Sequence, residues 1–291
     1  MCDHSLAVGI RLFTIACFLS LNSAICEAQT TSAIYVMRLD GSQVRKVAEG
    51  PGFKSVGHPR WSHDGTRLVF QGWGGPTPVR QIFVVAAEGP VGLVPDKGPE
   101  GQVPDWSPDD KQLAFQKPAE AGNRTSAWVA NLDGAGGILV GSGAAPRWSR
   151  DGASLAFVDS NDLVVRDLVS EQQSSLTQEP WEAIRPGFDW SPNGKRIACV
   201  GQRAGVVGLW IIDAQSRAAR LRLQADVMGQ VAWSPDGKQL AVTLKNKIQL
   251  LNVDDATKPR PIPAQIGASR DPAWSPDGKW IAFSSNRVAS P

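Results

Sequence analysis

The chain has 291 residues, 42% of them apolar and 20% charged, with 29 glycines, 21 prolines and a formal net charge of +2. This is the composition of a soluble β-rich globular protein long enough for one sizeable domain. Near-neutral charge, with no Lys/Arg run longer than two residues, argues against a nucleic-acid-binding surface.

The N-terminus has a character of its own. After Arg11 comes the apolar stretch "LFTIACFLSLNSAI", then "CEAQT", in which Ala28 is the small residue before a cleavage point. This is the pattern of a secretory signal, residues 1–28, and its apolar stretch is too short to span a membrane. Cleavage would leave a soluble chain with no membrane insertion and a net charge of +3. Cys26 follows Ile25 rather than a small residue, which disfavours lipidation there. Cys2, Cys17 and Cys26 leave with the signal, so the mature chain keeps Cys199 alone and can form no internal disulfide. Cys199 stands in "RIACV" where other copies of the same stretch carry Phe or Val, which makes it a small core side chain.

From Ala33 the chain repeats itself. A first pair of strands, "AIYVMRLDGSQVRKV", is followed by "PRWSHDGTRLVF" from Pro59, and near-copies recur as "PDWSPDDKQLAF" from Pro104, "PRWSRDGASLAF" from Pro146, "FDWSPNGKRIAC" from Phe188, "VAWSPDGKQLAV" from Val231 and "PAWSPDGKWIAF" from Pro272. Their tryptophans, Trp61, Trp106, Trp148, Trp190, Trp233 and Trp274, are spaced by 45, 42, 42, 43 and 41 residues, the mark of a repeat architecture. Each copy reads as a hairpin. Pro presets φ at the first central position of the turn, Asp or Asn follows, and Gly accepts the positive φ that closes it. Asp110 replaces that Gly in the second copy, where some strain is expected. Between copies lie further strand pairs, such as "QIFVVAAEGPVGLV" from Gln81 and "KIQLLNVDDATKPRPI" from Lys247. Each unit thus supplies four antiparallel strands, the content of one propeller blade, and the expected fold is an all-β, six-bladed β-propeller over 29–291. The chain opens on the second half of a blade and closes on the first half, so the last blade should be assembled from N- and C-terminal strands.

The series "WSPDGKxIAF" followed by "YVxxxDG", with "AFSSNR" at the end, resembles the β-propeller repeats of the TolB family, over Ala33 to Arg287. Such repeats also occur beside prolyl oligopeptidase-like and oligogalacturonate lyase-like enzymes, so the motif speaks for fold more than for activity. TolB proteins carry an α/β domain between signal and propeller, where this sequence has only Gln29 to Ser32. The resemblance implies a periplasmic or secreted protein whose propeller docks a protein partner at one channel mouth. In TolB that partner is the peptidoglycan-associated lipoprotein, and a similar envelope protein is the partner implied here.

The leading functional expectation is therefore an exported, non-enzymatic, monomeric protein–protein interaction scaffold without cofactor or metal. The alternatives are a small-molecule or glycan sensor and, third, an enzyme of the lyase- or peptidase-associated propeller type. No G-x-S-x-G elbow is present, and the mature chain has two histidines, His58 and His63. His63 is expected as an exposed turn residue, and His58 as a loop residue before Pro59. The six tryptophans are expected to pack between blades, each indole removing about 200 Å² from water. The residues preceding them include Arg60, Asp105, Arg147 and Asp189, alternating in sign, and are expected to form a charge chain along the channel wall. Tight turns should occupy one face of the ring and the long connections the other. Variable loops on a rigid scaffold are where binding resides, and Trp and Arg dominate interface energetics. Trp73, Arg80, Trp181, Arg185, Arg203 and Arg270 are accordingly the binding candidates.

Overall fold

The computed structural model describes residues 32–49, 55–73, 80–88, 96–119, 124–177 and 180–287; the expected signal segment lies outside them. The first two strands are β1 (Ala33–Arg38) and β2 (Arg45–Glu49). Blade 1 contains β3 (Ser55–Trp61), β4 (Arg67–Trp73), β5 (Gln81–Ala86) and β6 (Asp96–Glu100). Blade 2 contains β7 (Gln102–Trp106), β8 (Gln112–Pro118), β9 (Thr125–Asn131) and β10 (Ile138–Ser142). Blade 3 follows with β11 (Ala144–Trp148), β12 (Ser154–Asp159), β13 (Asp162–Asp167) and β14 (Gln173–Ser175). In blade 4 the innermost strand is split into β15 (Ala183–Ile184) and β16 (Asp189–Trp190), ahead of β17 (Arg196–Arg203), β18 (Val206–Asp213) and β19 (Ala219–Leu223). Blade 5 has β20 (Met228–Trp233), β21 (Gln239–Leu244), β22 (Lys247–Asn252) and β23 (Arg260–Pro261), and the chain ends in β24 (Ser269–Trp274) and β25 (Trp280–Ser285).

The sixth blade has the order β2-β1-β25-β24. Ala33 pairs with Ser285 and Arg38 with Trp280, so the first strands complete the last hairpin and leave no open end of the array. The protein is a six-bladed β-propeller closed by its two ends.

Stability resides between blades. Six apolar clusters fill the six blade interfaces; Val69, Ile82 and Val84 of blade 1, for example, meet Trp106, Leu113 and Phe115 of blade 2. The repeated tryptophans join these clusters, with Trp61 only partly buried. Cys199 lies in the same kind of packing, and burial pushes its thiol up to about 12, where it is inert.

The serine after each tryptophan has a local explanation. In all six hairpins its hydroxyl donates to the Asp or Asn two residues on, at 2.6–2.8 Å. It also accepts the backbone N–H five residues on, at 2.9 Å. The turn is therefore locked by its own side chains, and the bonds from Ser62 and Thr66 hold the Asp64 carboxyl down at about 2. Pro and Gly also tie adjacent blades: a Cβ on Gly65 would meet Pro276 at 3.7 Å, and one on Gly237 would meet Pro192 at 3.7 Å.

Asp110 breaks that pattern, and so does His63, the residue of blade 1 it faces. The Asp110 carboxylate accepts from the backbone of His63 at 2.7 Å and of Asp64 at 2.9 Å, and its Oδ1 lies 3.1 Å from the His63 imidazole Nδ1. Arg150, which stands in place of Pro in blade 3, reaches His63 Nε2 at 3.3 Å. Three departures from the repeat thus form one network across three blades. His63 is an exposed turn residue, as expected, and is in addition bonded to Asp110 and Arg150 at the rim.

Candidate functional site: the two mouths of the channel

The innermost strands carry a bulge that aims side chains into the channel. The register shifts just before the tryptophan in five blades, and His58, Val103, Ala145 and Asp271 take φ between 50° and 54°. Freed backbone donors are taken up by the preceding blade: Gln71 Oε1 accepts from Val103 N at 2.8 Å and Gln116 Oε1 from Ala145 N at 2.7 Å. The bulge leaves the residue before each tryptophan facing the axis.

Those residues form a charged belt. Arg60 of blade 1 lies with Nε 3.9 Å from Asp105 of blade 2 and Nη1 3.4 Å from Asp189 of blade 4, so it bridges across the ring as well as along its wall. The aspartates also serve the next blade, Asp105 accepting from Trp148 N at 3.0 Å and Asp189 from Trp233 N at 2.9 Å. Arg147 is 1% exposed and donates to Pro146 O at 3.0 Å, and among the described residues no carboxylate lies within 4 Å of it. Burial, then the nearness of Arg60, pulls its guanidinium down to about 10, against the opposing fields of Asp105, Asp189 and Asp271. The sequence expectation of a simple alternating chain is refined accordingly: Arg60 pairs directly with Asp105 and Asp189, whereas Arg147 has no ion-pair partner among the described residues and bonds to the Pro146 carbonyl.

The belt separates two mouths. On the turn face, a cavity of about 270 Å³ is ringed by all six repeated tryptophans, with Arg60, Asp105 and Asp189 on its wall. On the loop face, a cavity of about 370 Å³ opens between blades 6 and 1, lined among others by His58, Gln71, Trp73, Arg80, Arg270 and Asp271. Trp73 is 43% exposed, and the Arg80 guanidinium lies 5.9 Å from the centre of its ring. Arg270 donates through Nε to Asn246 Oδ1 at 3.0 Å.

At the back of the loop-side cavity, His58 Nδ1 sits 2.5 Å from Gln230 Nε2 and 4.0 Å from Asp271 Oδ1. Asp271 is anchored by the His58 backbone at 3.4 Å and by the Ser284 hydroxyl at 3.3 Å. Burial lowers the pKa of His58, Arg147, Arg60 and Arg80 act in the same direction, and Asp271 opposes them. Nδ1 accepting from the Gln230 amide corresponds to a neutral imidazole. Ser284 bonds to Asp271 and not to the imidazole, so the trio is not arranged as a nucleophile with its base.

Of the six binding candidates, Trp73, Arg80 and Arg270 gather in this one cavity. The other three lie round the ring. Trp181 is only 6% exposed and packs edge-on against Trp210 with centroids 5.3 Å apart, so it is a core residue, and the loop that carries it folds back onto blade 4. Arg203 lies 5.9 Å from the centres of both these rings, and Arg185 pairs with Asp226 at 2.7 Å. Asp271 and Gln230 escaped the sequence reading because no shared motif marks them; ring closure brings them to His58.

The six-bladed propeller defines the class of this chain. Its solved relatives by structure include the putative TolB of Agrobacterium tumefaciens, at 18% identity and a TM-score of 0.69 over 87% of this chain and 97% of that one. TolB of Acinetobacter baumannii matches with a TM-score of 0.67 at 18% identity, over 84% of this chain and 66% of that one. An oligogalacturonate lyase from Vibrio parahaemolyticus is a more distant match, with a TM-score of 0.51 at 10% identity over 88% and 83% of the two chains. No sequence-family description and no curated protein sequence matches the chain. The fold is that of a TolB-like propeller.

Proposed function

We propose that this protein is an exported, non-enzymatic interaction scaffold of TolB-like type, acting as a monomer in the periplasm and docking an envelope protein at the loop-side mouth. The observation that carries the reading is the exposed Trp73, with Arg80 and Arg270, around a cavity at the seam where the ring closes. Trp and Arg beside a pre-formed concavity are the usual anchors of an interface. The signal pattern of residues 1–28 and the likeness to TolB propellers support export, and a peptidoglycan-associated lipoprotein-like protein is the partner class that likeness suggests.

The test is site-specific photo-crosslinking in cells, with a photoreactive phenylalanine at position 73 or at position 236 on the opposite face, together with cell fractionation. The reading expects a periplasmic protein and a discrete adduct from position 73 only. Adducts from position 236 alone, or retention in the cytoplasm, would overturn it.

A further inference from the structure

The charge around the loop-side mouth is lopsided. Arg80 and Arg270 are both exposed at its rim, and among the described residues neither has a carboxylate within ion-pairing distance. Among the described residues the one acidic side chain lining the cavity is Asp271, which is buried, its Oδ2 accepting from the His58 backbone and the Ser284 hydroxyl and its Oδ1 lying 4.0 Å from His58 Nδ1. Behind it lies the belt, where Arg60 and Arg147 stand with Asp105 and Asp189, and the fields of the two guanidiniums reach His58 together with that of Arg80. Neutral side chains, polar such as Gln71 and Asn286 and apolar such as Val56 and Ala268, make up the rest of the described lining. Trp73 stands at the edge as an apolar plate beside Arg80.

This is the complement of an anionic, partly apolar segment. We propose that the loop-side mouth recognises an acidic stretch of the partner protein, seating a carboxylate between Arg80 and Arg270 with an adjoining apolar side chain against Trp73. An exposed guanidinium offers a planar fork that matches a carboxylate, and two such forks flanking a concavity give both attraction and orientation. A segment rather than a free acid is favoured because the rim donors sit beside an exposed aromatic surface that a small carboxylate would leave uncovered. The inference rests on the loop-side mouth being the docking face, and adds to it the chemistry of what docks.

Calorimetric titration of the purified protein with an N-acetylated octaglutamate peptide tests it, with octaserine, octalysine and free glutamate as controls. Octaglutamate is expected to bind, weakening as salt rises, while octaserine and octalysine do not. An Arg80→Gln, Arg270→Gln double variant should lose at least tenfold in affinity with an unchanged melting temperature, since both side chains are exposed. Binding of octaserine as tight as that of octaglutamate, or an unaffected double variant, overturns the proposal. Competition by free glutamate at equal residue concentration would make this a small-acid site and overturns the segment reading. If position 73 crosslinks a partner while octaglutamate fails to bind, the docking face stands and the acidic chemistry falls. If octaglutamate binds through Arg80 and Arg270 while crosslinks come only from position 236, the charge reading stands and the docking face falls.

Discussion

The Asp110–His63 contact makes a sharp prediction, because two residues that each violate the repeat compensate for one another. In blades with the full pattern, Pro has no N–H to satisfy and Gly adopts positive φ without cost. His63 brings an N–H that needs an acceptor, and Asp110 supplies one while itself sitting at φ 57°. Replacing Asp110 by Gly removes bonds to the His63 and Asp64 backbone, worth about 1 kcal/mol each at a partly solvated site. It relieves a left-handed Asp, worth about 1 kcal/mol, so a net loss of about 1 kcal/mol is expected. His63→Pro alone removes the donor and stiffens the unfolded chain, and should be near neutral. The double variant restores the Pro–Gly contact seen between Pro276 and Gly65, and should return to within about 0.5 kcal/mol of the parent. Urea denaturation of the four proteins reads the coupling directly, and the single Asp110→Gly variant should melt about 2–4 °C lower. Strict additivity, with the double variant no better than Asp110→Gly, would refute compensation.

Ring closure and the buried histidine give two more tests. Ile34→Asp puts an unpaired carboxylate into the fully buried seam between β1 and its neighbours and should cost at least about 3 kcal/mol, yielding an aggregating protein by light scattering; a soluble monomer with unchanged melting would mean the seam is dispensable. Because the pKa of His58 is lowered in the fold, its contribution to stability is complete above its unfolded value of 6.5 and is lost as pH falls below that. Melting temperature should therefore decline with acidification below about 6.5 more steeply in the parent than in a His58→Asn variant, and parallel pH profiles would contradict the assignment.

The fold was legible because a repeat states its unit six times. The tryptophan spacing, the turn chemistry and the half-blades at either end each follow from residues that act within one hairpin, or from simple counting round a ring. The bulge was not legible. The residue before a proline is ordinarily held extended, yet His58, Val103, Ala145 and Asp271 adopt positive φ there, because the neighbouring blade compensates the displaced backbone. The same limit applies to the site. Trp73, Arg80 and Arg270 share a face by strand direction alone, but His58 meets Gln230 and Asp271 across separations of 172 and 213 residues that only closure brings together. Trp181 shows the converse: an aromatic in a long connection looks like an anchor until its loop folds onto the core.

The two mouths differ for a reason rooted in the repeat itself. Everything on the turn face is built from the residues that hold blades together: the tryptophans pack the interfaces, Asp105 and Asp189 satisfy the next blade's backbone, and Arg60 ties blade 1 to blade 4. A change there disturbs both the surface and the ring, so that face is poorly free to diversify. The connections on the loop face carry less of that duty: Trp181 packs into the core, Arg270 bonds to Asn246, and Gln71 and Gln116 cap the bulges with their amides. Arg80 can be altered without touching a blade interface, and Arg270 with the loss of one exposed bond to Asn246 of blade 5, whereas loss of Arg60 would take from the buried Asp189 its ion-pair partner. Substitutions at the exposed Trp73 and Arg80 of the loop-side mouth are thus expected to leave stability largely unchanged, whereas substitutions in the belt beneath it are not.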